Sequence, residues 1–148
     1  TLDRDRQEID QPIGIHPYQR EKMAIRADHS TSRSAHTFVE VDQRFRGFVT
    51  LHVFPRTGRT HQIRVHLSHI GCPIVCDPLY TGRRVLTRGE LQRGRPDDHV
   101  VLDRLALHAR RLALRHPLSG EPLELEAPIP PALQQFADTL QQLRPASS

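Results

Sequence analysis

No stretch of this sequence approaches the roughly 20 consecutive apolar residues that a membrane-crossing helix needs. The first residues, Thr1-Leu2-Asp3-Arg4-Asp5-Arg6, lack the apolar centre of a signal peptide. Both absences argue against membrane and secretory roles, and the cytoplasm is the expected compartment. Cysteine is scarce as well. Cys72 and Cys76 are the only two, and they lie four apart in one segment, so a disulfide framework is not expected and both should be free thiols. Tryptophan is absent and aromatic residues make up 5% of the chain, yet hydrophobic residues reach 36% and charged residues 26%, the balance of a folded protein rather than a disordered one. Lysine is nearly missing too, since Lys22 is the only one among 21 Lys and Arg residues.

The basic charge therefore sits almost wholly on arginine. Formal net charge is +4 and the pI is about 9.8. A guanidinium presents a planar fork of donors that matches phosphate oxygens, which points to a polyanionic partner. A solvated basic surface would have the same composition, so charge alone does not decide. At 148 residues, one domain is expected, with roughly 70% of the unfolded surface buried.

Residues 1–34 are polar and interrupted by Pro12, Gly14 and Pro17, and read as a connecting segment. His36 to Val41 alternates, with Thr37, Val39 and Val41 on one side, as a half-buried strand does. Phe48 to Phe54 is a second strand, with Asp42 to Gly47 as the hairpin connection. Thr60 can cap a helix in which Ile63, Leu67 and Ile70 form an apolar stripe, and Gly71 and Pro73 end it. Ile74 to Cys76 reads as a short buried strand, Asp77 to Tyr80 as a turn, and 81–98 as an exposed Arg-rich loop. Its Arg83, Arg84, Arg88, Arg93 and Arg95 are candidate phosphate contacts. A second hairpin is predicted from Leu112, Leu114 and His116 through Leu118-Ser119-Gly120 to Leu123, Leu125 and Ala127. Residues 131–144 form a terminal helix, with Leu133, Phe136, Ala137, Leu140 and Leu143 on one stripe. The order predicts an α+β fold, a mixed, largely antiparallel sheet with packed helices.

Chemistry concentrates in Arg56-Thr57-Gly58-Arg59-Thr60-His61-Gln62-Ile63-Arg64-Val65-His66-Leu67. The turn Thr57-Gly58-Arg59-Thr60 feeds a helix, so its backbone N–H groups and Arg59 would favour an anion such as an RNA phosphate. Arg64 lies off the apolar stripe and can face a cleft, although an ordinary surface arginine would occupy the same position. His66, His69, Cys72 and Cys76 are zinc-compatible in type. Gly71 and Pro73 separate the histidines from the cysteines, and the Cys spacing lacks a tight knuckle, so no metal is expected. No Gly-x-Ser-x-Gly elbow is present, and Ser68 and Ser119 lack a convincing partner, which sets nucleophilic hydrolysis aside.

Residues 56–67 closely resemble the RNA-site motif of RluA-type pseudouridine synthases. Further blocks resemble the family in order: Ile9 to Gly14, Ala35-His36-Thr37, Gly71 to Tyr80, Leu105 to Ala109 with His116-Pro117, and Ala127 to Pro130. The resemblance implies a fold like the C-terminal half of that catalytic domain, so that 1–148 would be one incomplete domain. It further implies isomerisation of uridine to pseudouridine in rRNA or tRNA, without a cofactor or metal. Arg64 would take the place of the arginine that pairs with the catalytic aspartate. The implied RNA-binding set is Arg59, Thr60, His61, Gln62 and Arg64. The sequence departs from the family in one respect: no block like the one that carries the aspartate is present, nor is the pocket tyrosine's strand. Arg64 is thus expected to find no carboxylate in this chain, which should not catalyse alone; a non-catalytic RNA-binding remnant is the alternative. A sheet built to continue elsewhere should leave an edge open to self-association.

Overall fold

A computed structural model describes residues 2–92, 94 and 96–146. At its centre, β1 (Arg6–Asp10), β4 (His36–Phe45) and β5 (Phe48–Pro55) form an antiparallel sheet in the order β1-β4-β5. The alternation from Thr37 to Val41 has its expected meaning, because Thr37 and Val39 are fully buried and successive side chains of a strand face opposite ways. The connection predicted for Asp42 to Gly47 is much shorter. β4 continues to Phe45, which pairs with Phe48, and only Arg46 and Gly47 turn the chain, Gly47 at φ +84°. A bulge between Val41 and Gln43 absorbs the extra residue, so the strand bends without ending.

The supposed connecting segment is structured. It contains β1 and a small antiparallel pair, β2 (Ile13–Ile15) with β3 (Met23–Ile25). Ile9 and Ile13 are 3% and 1% exposed; they were too few and too widely spaced to show periodicity in sequence, and pairing with distant strands supplies the rest of their environment. Helix α1 (Gln62–His69) packs Leu67 against Ile9, Val39 and Ile74, while Val65 joins Ile13 and Ala35. Gly71 closes the helix at φ +74°, with the Cys72 N–H donating to the Leu67 carbonyl at 2.9 Å, as a left-handed glycine cap permits.

Ile74 and Cys76 are buried, but the segment they bound is not a strand. Val75 and Cys76 lie in a turn, Cys76 at φ +56°, and apolar burial alone cannot distinguish the two. Residues 81–98 are likewise more than a loop. They carry β6 (Leu86–Thr87) and the short helix α2 (Arg88–Leu91), opened by a reciprocal capping box between Thr87 and Glu90. Leu86 and Leu91 sit in a core with Phe45, Leu102, Phe136 and Leu140; β6 pairs with β7 (Val100–Leu102). Arg93 and Arg95 lie outside the described residues. Helix α3 (Pro131–Leu143) presents Phe136 and Leu140 to that core, and Arg144 ties its end to the Arg46 and Leu91 carbonyls at 2.8 and 3.2 Å. The second hairpin, β8 (Arg111–Arg115) with β9 (Pro122–Glu126), stands clear of these cores with Leu112, Leu114 and Leu125 exposed. Among the described residues all ladders are antiparallel, and helices pack on them, as in the expected α+β class.

Candidate functional site

The bend after β5 and the start of α1 form one wall of a cleft of about 330 Å³, lined by Pro55, Thr57, Gly58, Arg59, His61, Gln62, Ile63, Arg64 and Leu107. A buried side chain organises this wall. Gln62, 4% exposed, accepts at Oε1 from the Thr57 hydroxyl (2.7 Å) and the Arg59 N–H (3.0 Å). Its Nε2 donates to the His36 carbonyl and to Thr37 Oγ1, both at 3.0 Å. The Arg59 amide of the turn therefore already has a partner inside the protein.

From Thr37 the chain of hydrogen bonds runs on to His66, which is fully buried. The Gln11 carbonyl can only accept, so His66 Nε2, 2.9 Å away, carries the proton. Nδ1 then accepts from the Thr37 hydroxyl at 2.8 Å. A protonated ring would lose that acceptor, and burial pushes its pKa below the usual histidine value. His66 is thus a structural group, and among the described residues no cluster of His, Cys, Asp and Glu side chains could hold a metal.

Helix α1 starts later than its sequence suggested. The N-cap is His61, not Thr60, and it is left-handed at φ 55° without a side-chain capping bond. Thr60 is exposed and does not line the cleft. The turn at His61 brings its ring edge-on to Tyr80, with centroids 5.9 Å apart, and Nδ1 lies 3.2 Å from the Tyr80 hydroxyl. That hydroxyl accepts from the Met23 N–H and donates to the Met23 carbonyl, at 3.0 and 3.2 Å. With its single proton committed to the carbonyl, His61 Nδ1 must be the donor, leaving Nε2 as an acceptor. Burial, and then the Arg64 charge, hold this ring towards the neutral form.

Arg64 has a carboxylate partner within the chain, contrary to expectation. Its Nε and Nη2 donate to Asp77 Oδ2 and Oδ1 at 2.8 and 2.7 Å. The Asp77 side chain is 0% exposed and that of Arg64 is 16% exposed. Burial pushes the Asp77 carboxyl up, but the Arg64 hydrogen bond and charge, with the Leu79 and Tyr80 N–H groups, outweigh it and hold the pKa below the ordinary range. Asp77 raises the Arg64 pKa in turn. Nη1 of Arg64 has no hydrogen-bond partner among the described residues, so one edge of the fork remains for a second anion. Arg64 also borders a neighbouring concavity with Asp103, Arg84 and Arg104.

Arg59, His61, Gln62 and Arg64 thus converge on one cleft, while Thr60 does not. Sequence reasoning missed the supporting residues Asp77 and Tyr80. Their signal was present in Asp77-Pro78-Leu79-Tyr80, where an aspartate folds its carboxylate onto the next two amides. Nothing local indicated that the same carboxylate reaches α1.

No family model matches the sequence. Among curated proteins, the chain is 43% identical over 138 residues to ribosomal large subunit pseudouridine synthase D of Xanthomonas campestris pv. campestris, covering 90% of this chain and 39% of that protein. The proteins of the same name from Pseudomonas aeruginosa and Escherichia coli are 42% and 39% identical over 93% and 89% of this chain, which covers 42% and 39% of their lengths. The chain therefore spans about two fifths of the length of these relatives. In fold it matches human RNA pseudouridylate synthase domain containing 1 and domain containing 4, with TM-scores of 0.63 and 0.62 at 23% identity. It covers 92% and 93% of itself in these matches, and 54% and 57% of the two human chains.

Proposed function

Because this chain belongs by sequence to the RluA-type pseudouridine synthase family, we propose that it forms the arginine-bearing wall of an RNA uridine isomerase site. One observation supports this above others. Arg64 is fixed by Asp77 with a single edge of its fork left over, and it faces a cleft whose other polar groups converge beside it. Two hydrogen bonds orient a guanidinium far better than one, and the paired Asp77 carboxylate keeps it charged against the opposing effect of burial. Such a group can hold a second carboxylate ionised and aimed.

In the proposed reaction that carboxylate, the family's catalytic aspartate, comes from the part of the relatives' length that this chain does not span. The uridine leaves its stack to enter the cleft. The C1′–N1 bond breaks, the base turns, and C5 bonds to C1′; the C5 proton is then lost while N1 gains one, so no net oxidation occurs and no cofactor is required. Arg59 and Arg64 would meet phosphate and carboxylate, and His61 Nε2 would accept from a ribose hydroxyl or base N–H. Leu107 would supply an apolar wall. Arg83, Arg84 and Arg88 are proposed as further phosphate contacts. The relatives' names favour large-subunit ribosomal RNA over transfer RNA as substrate, and the proposed compartment is the cytoplasm. By itself the chain should bind RNA without modifying it, and a role as a non-catalytic RNA-binding remnant would use the same cleft.

The test is to incubate the purified chain with a large-subunit rRNA transcript and assay for pseudouridine by mass spectrometry of nucleosides, with binding measured in parallel. Binding at low salt without pseudouridine is the expected result. Pseudouridine formation would refute the claim that a further carboxylate is needed. No binding at low salt would remove the RNA-site reading altogether.

A further inference from the structure

Beside the cleft, the loop from His16 to Lys22 links β2 to β3 and exposes an aromatic ring almost completely. Tyr18 is 91% exposed, which in a chain with only two tyrosines and no tryptophan is a conspicuous use of an aromatic side chain. The loop that carries it is held in shape. The His16 N–H donates to the Lys22 carbonyl at 3.0 Å and the Lys22 N–H to the Gln19 carbonyl at 2.9 Å. His16 Nδ1 lies 3.2 Å from the Tyr18 and Gln19 amides, with its ring edge-on to Tyr18 at 6.2 Å. A ring presented on a hydrogen-bonded loop sits on a backbone that is already ordered, so binding need not supply that part of the conformational entropy.

The loop is anchored to the proposed site. The Tyr80 hydroxyl bonds both backbone groups of Met23, the residue following the loop. Lys22 Nζ and Arg64 Cζ each lie 5.0 Å from the centroid of the Tyr80 ring, so one ring gathers a loop cation and the cleft arginine. Neither Arg20 nor Lys22 forms an ion pair among the described residues, and Glu21 is the loop's single acid. An exposed aromatic face on a loop whose two cations form no ion pair among the described residues, with one of those cations sharing the Tyr80 ring with the cleft arginine, has the chemistry of a single-stranded nucleic-acid platform.

We propose that the loop from His16 to Lys22 is a second RNA-contacting arm, in which Tyr18 stacks an unpaired base while Arg20 and Lys22 engage flanking phosphates. This rests on the RNA reading of the cleft. A base must be unstacked to lie on Tyr18, so the arm selects single-stranded or looped RNA over duplex. Tyr80 is the latch that keeps the arm in register with Arg64.

The test measures fluorescence anisotropy of a dye-labelled single-stranded RNA of about 12 nucleotides, and of the same sequence as duplex, against the whole chain and its variants. Tyr18→Ala should weaken single-strand binding at least about fivefold and duplex binding much less, with an unchanged thermal transition because the side chain packs on so little. Tyr18→Phe should keep the affinity, since a phenyl ring also stacks. Tyrosine emission gives a second reading: RNA should quench the wild type, and Tyr18→Phe should lose most of that quenching. If Tyr18→Ala binds like wild type while Arg59→Ala binds more weakly, the arm is refuted and the cleft survives. Quenching that persists in Tyr18→Phe refutes the arm as well. Failure of the wild type to bind either RNA removes both proposals.

Discussion

At the scale of the residue, the Asp77 carboxylate has the largest predicted consequence. It is fully buried and its negative charge is matched by Arg64 and two backbone amides. Asp77→Ala would leave a guanidinium with little water and no counter-charge. The expected loss is about 3 kcal/mol, at the low end for a broken buried pair because Arg64 retains some exposure, read as a lower midpoint in urea unfolding. The pH dependence follows from the same groups. A carboxyl whose folded pKa is depressed contributes stability that is fully present above its unfolded value, near 3.9, and is lost as pH falls through the folded value. His66 acts earlier in an acid titration. Its folded pKa is lowered, so the unfolded chain takes up the proton first, and stability should decline as pH falls below about 6.5. Thermal midpoints measured from pH 7 downward should show that decline, and replacing His66 with an uncharged residue should flatten its first stage. A flat profile across that range in the wild type would contradict the neutral, doubly bonded histidine.

At the scale of the element, the structure divides into well-supported and poorly supported pieces. β4 is flanked by strands on both sides and carries Thr37 and Val39 inside. The hairpin β8–β9 pairs Leu112 with Leu125 and Leu114 with Leu123 on one face, but no layer covers them, and a lone two-stranded hairpin is marginal in water. Amides of 111–126 should therefore exchange with deuterium well before those of β4, and comparable protection would show that the hairpin is buried in solution. The short helix α2 depends on its cap. Thr87 and Glu90 each bond the other's backbone, so Thr87→Ala should cost about 1 kcal/mol, measurable by chemical denaturation. Legibility followed the same division. Period-2 alternation announced the first half of β4 and the second hairpin, because those residues keep one register over several positions. β2, β3 and β6 are two or three residues long, too short for a period, and β1 carries one buried apolar residue, Ile9; these strands exist because partners elsewhere in the chain complete their hydrogen bonds.

For the whole molecule, the uncovered leucines of β8–β9 and the free edge of β5 lead us to expect self-association of the isolated chain. Light scattering should show a mass that rises with concentration; a concentration-independent monomer would oppose this. RNA affinity should fall steeply with added salt, because phosphate contacts release counterions. Replacing Arg59 should lower the slope of log affinity against log salt by about one.

The sequence by itself determined the α+β class, the glycine end of α1 at Gly71, the apolar stripe of α3, and the grouping of the candidate site residues Arg59, His61, Gln62 and Arg64 in one short motif. Each is set by neighbours within a few positions, where periodicity, φ preference and residue type act directly. Only the tertiary structure decided which of those residues meet. Arg64 and Asp77 are separated by a helix end and a turn, yet they form the bidentate pair that orients the site. Gln62 and His66 spend their polar atoms on Thr37 and Gln11, across 25 and 55 positions. Tyr80 reaches back over 57 positions to fasten the Tyr18 loop beside the cleft. A buried polar atom must find a partner wherever the fold brings one, and that choice is made by packing at long range, which no local pattern encodes.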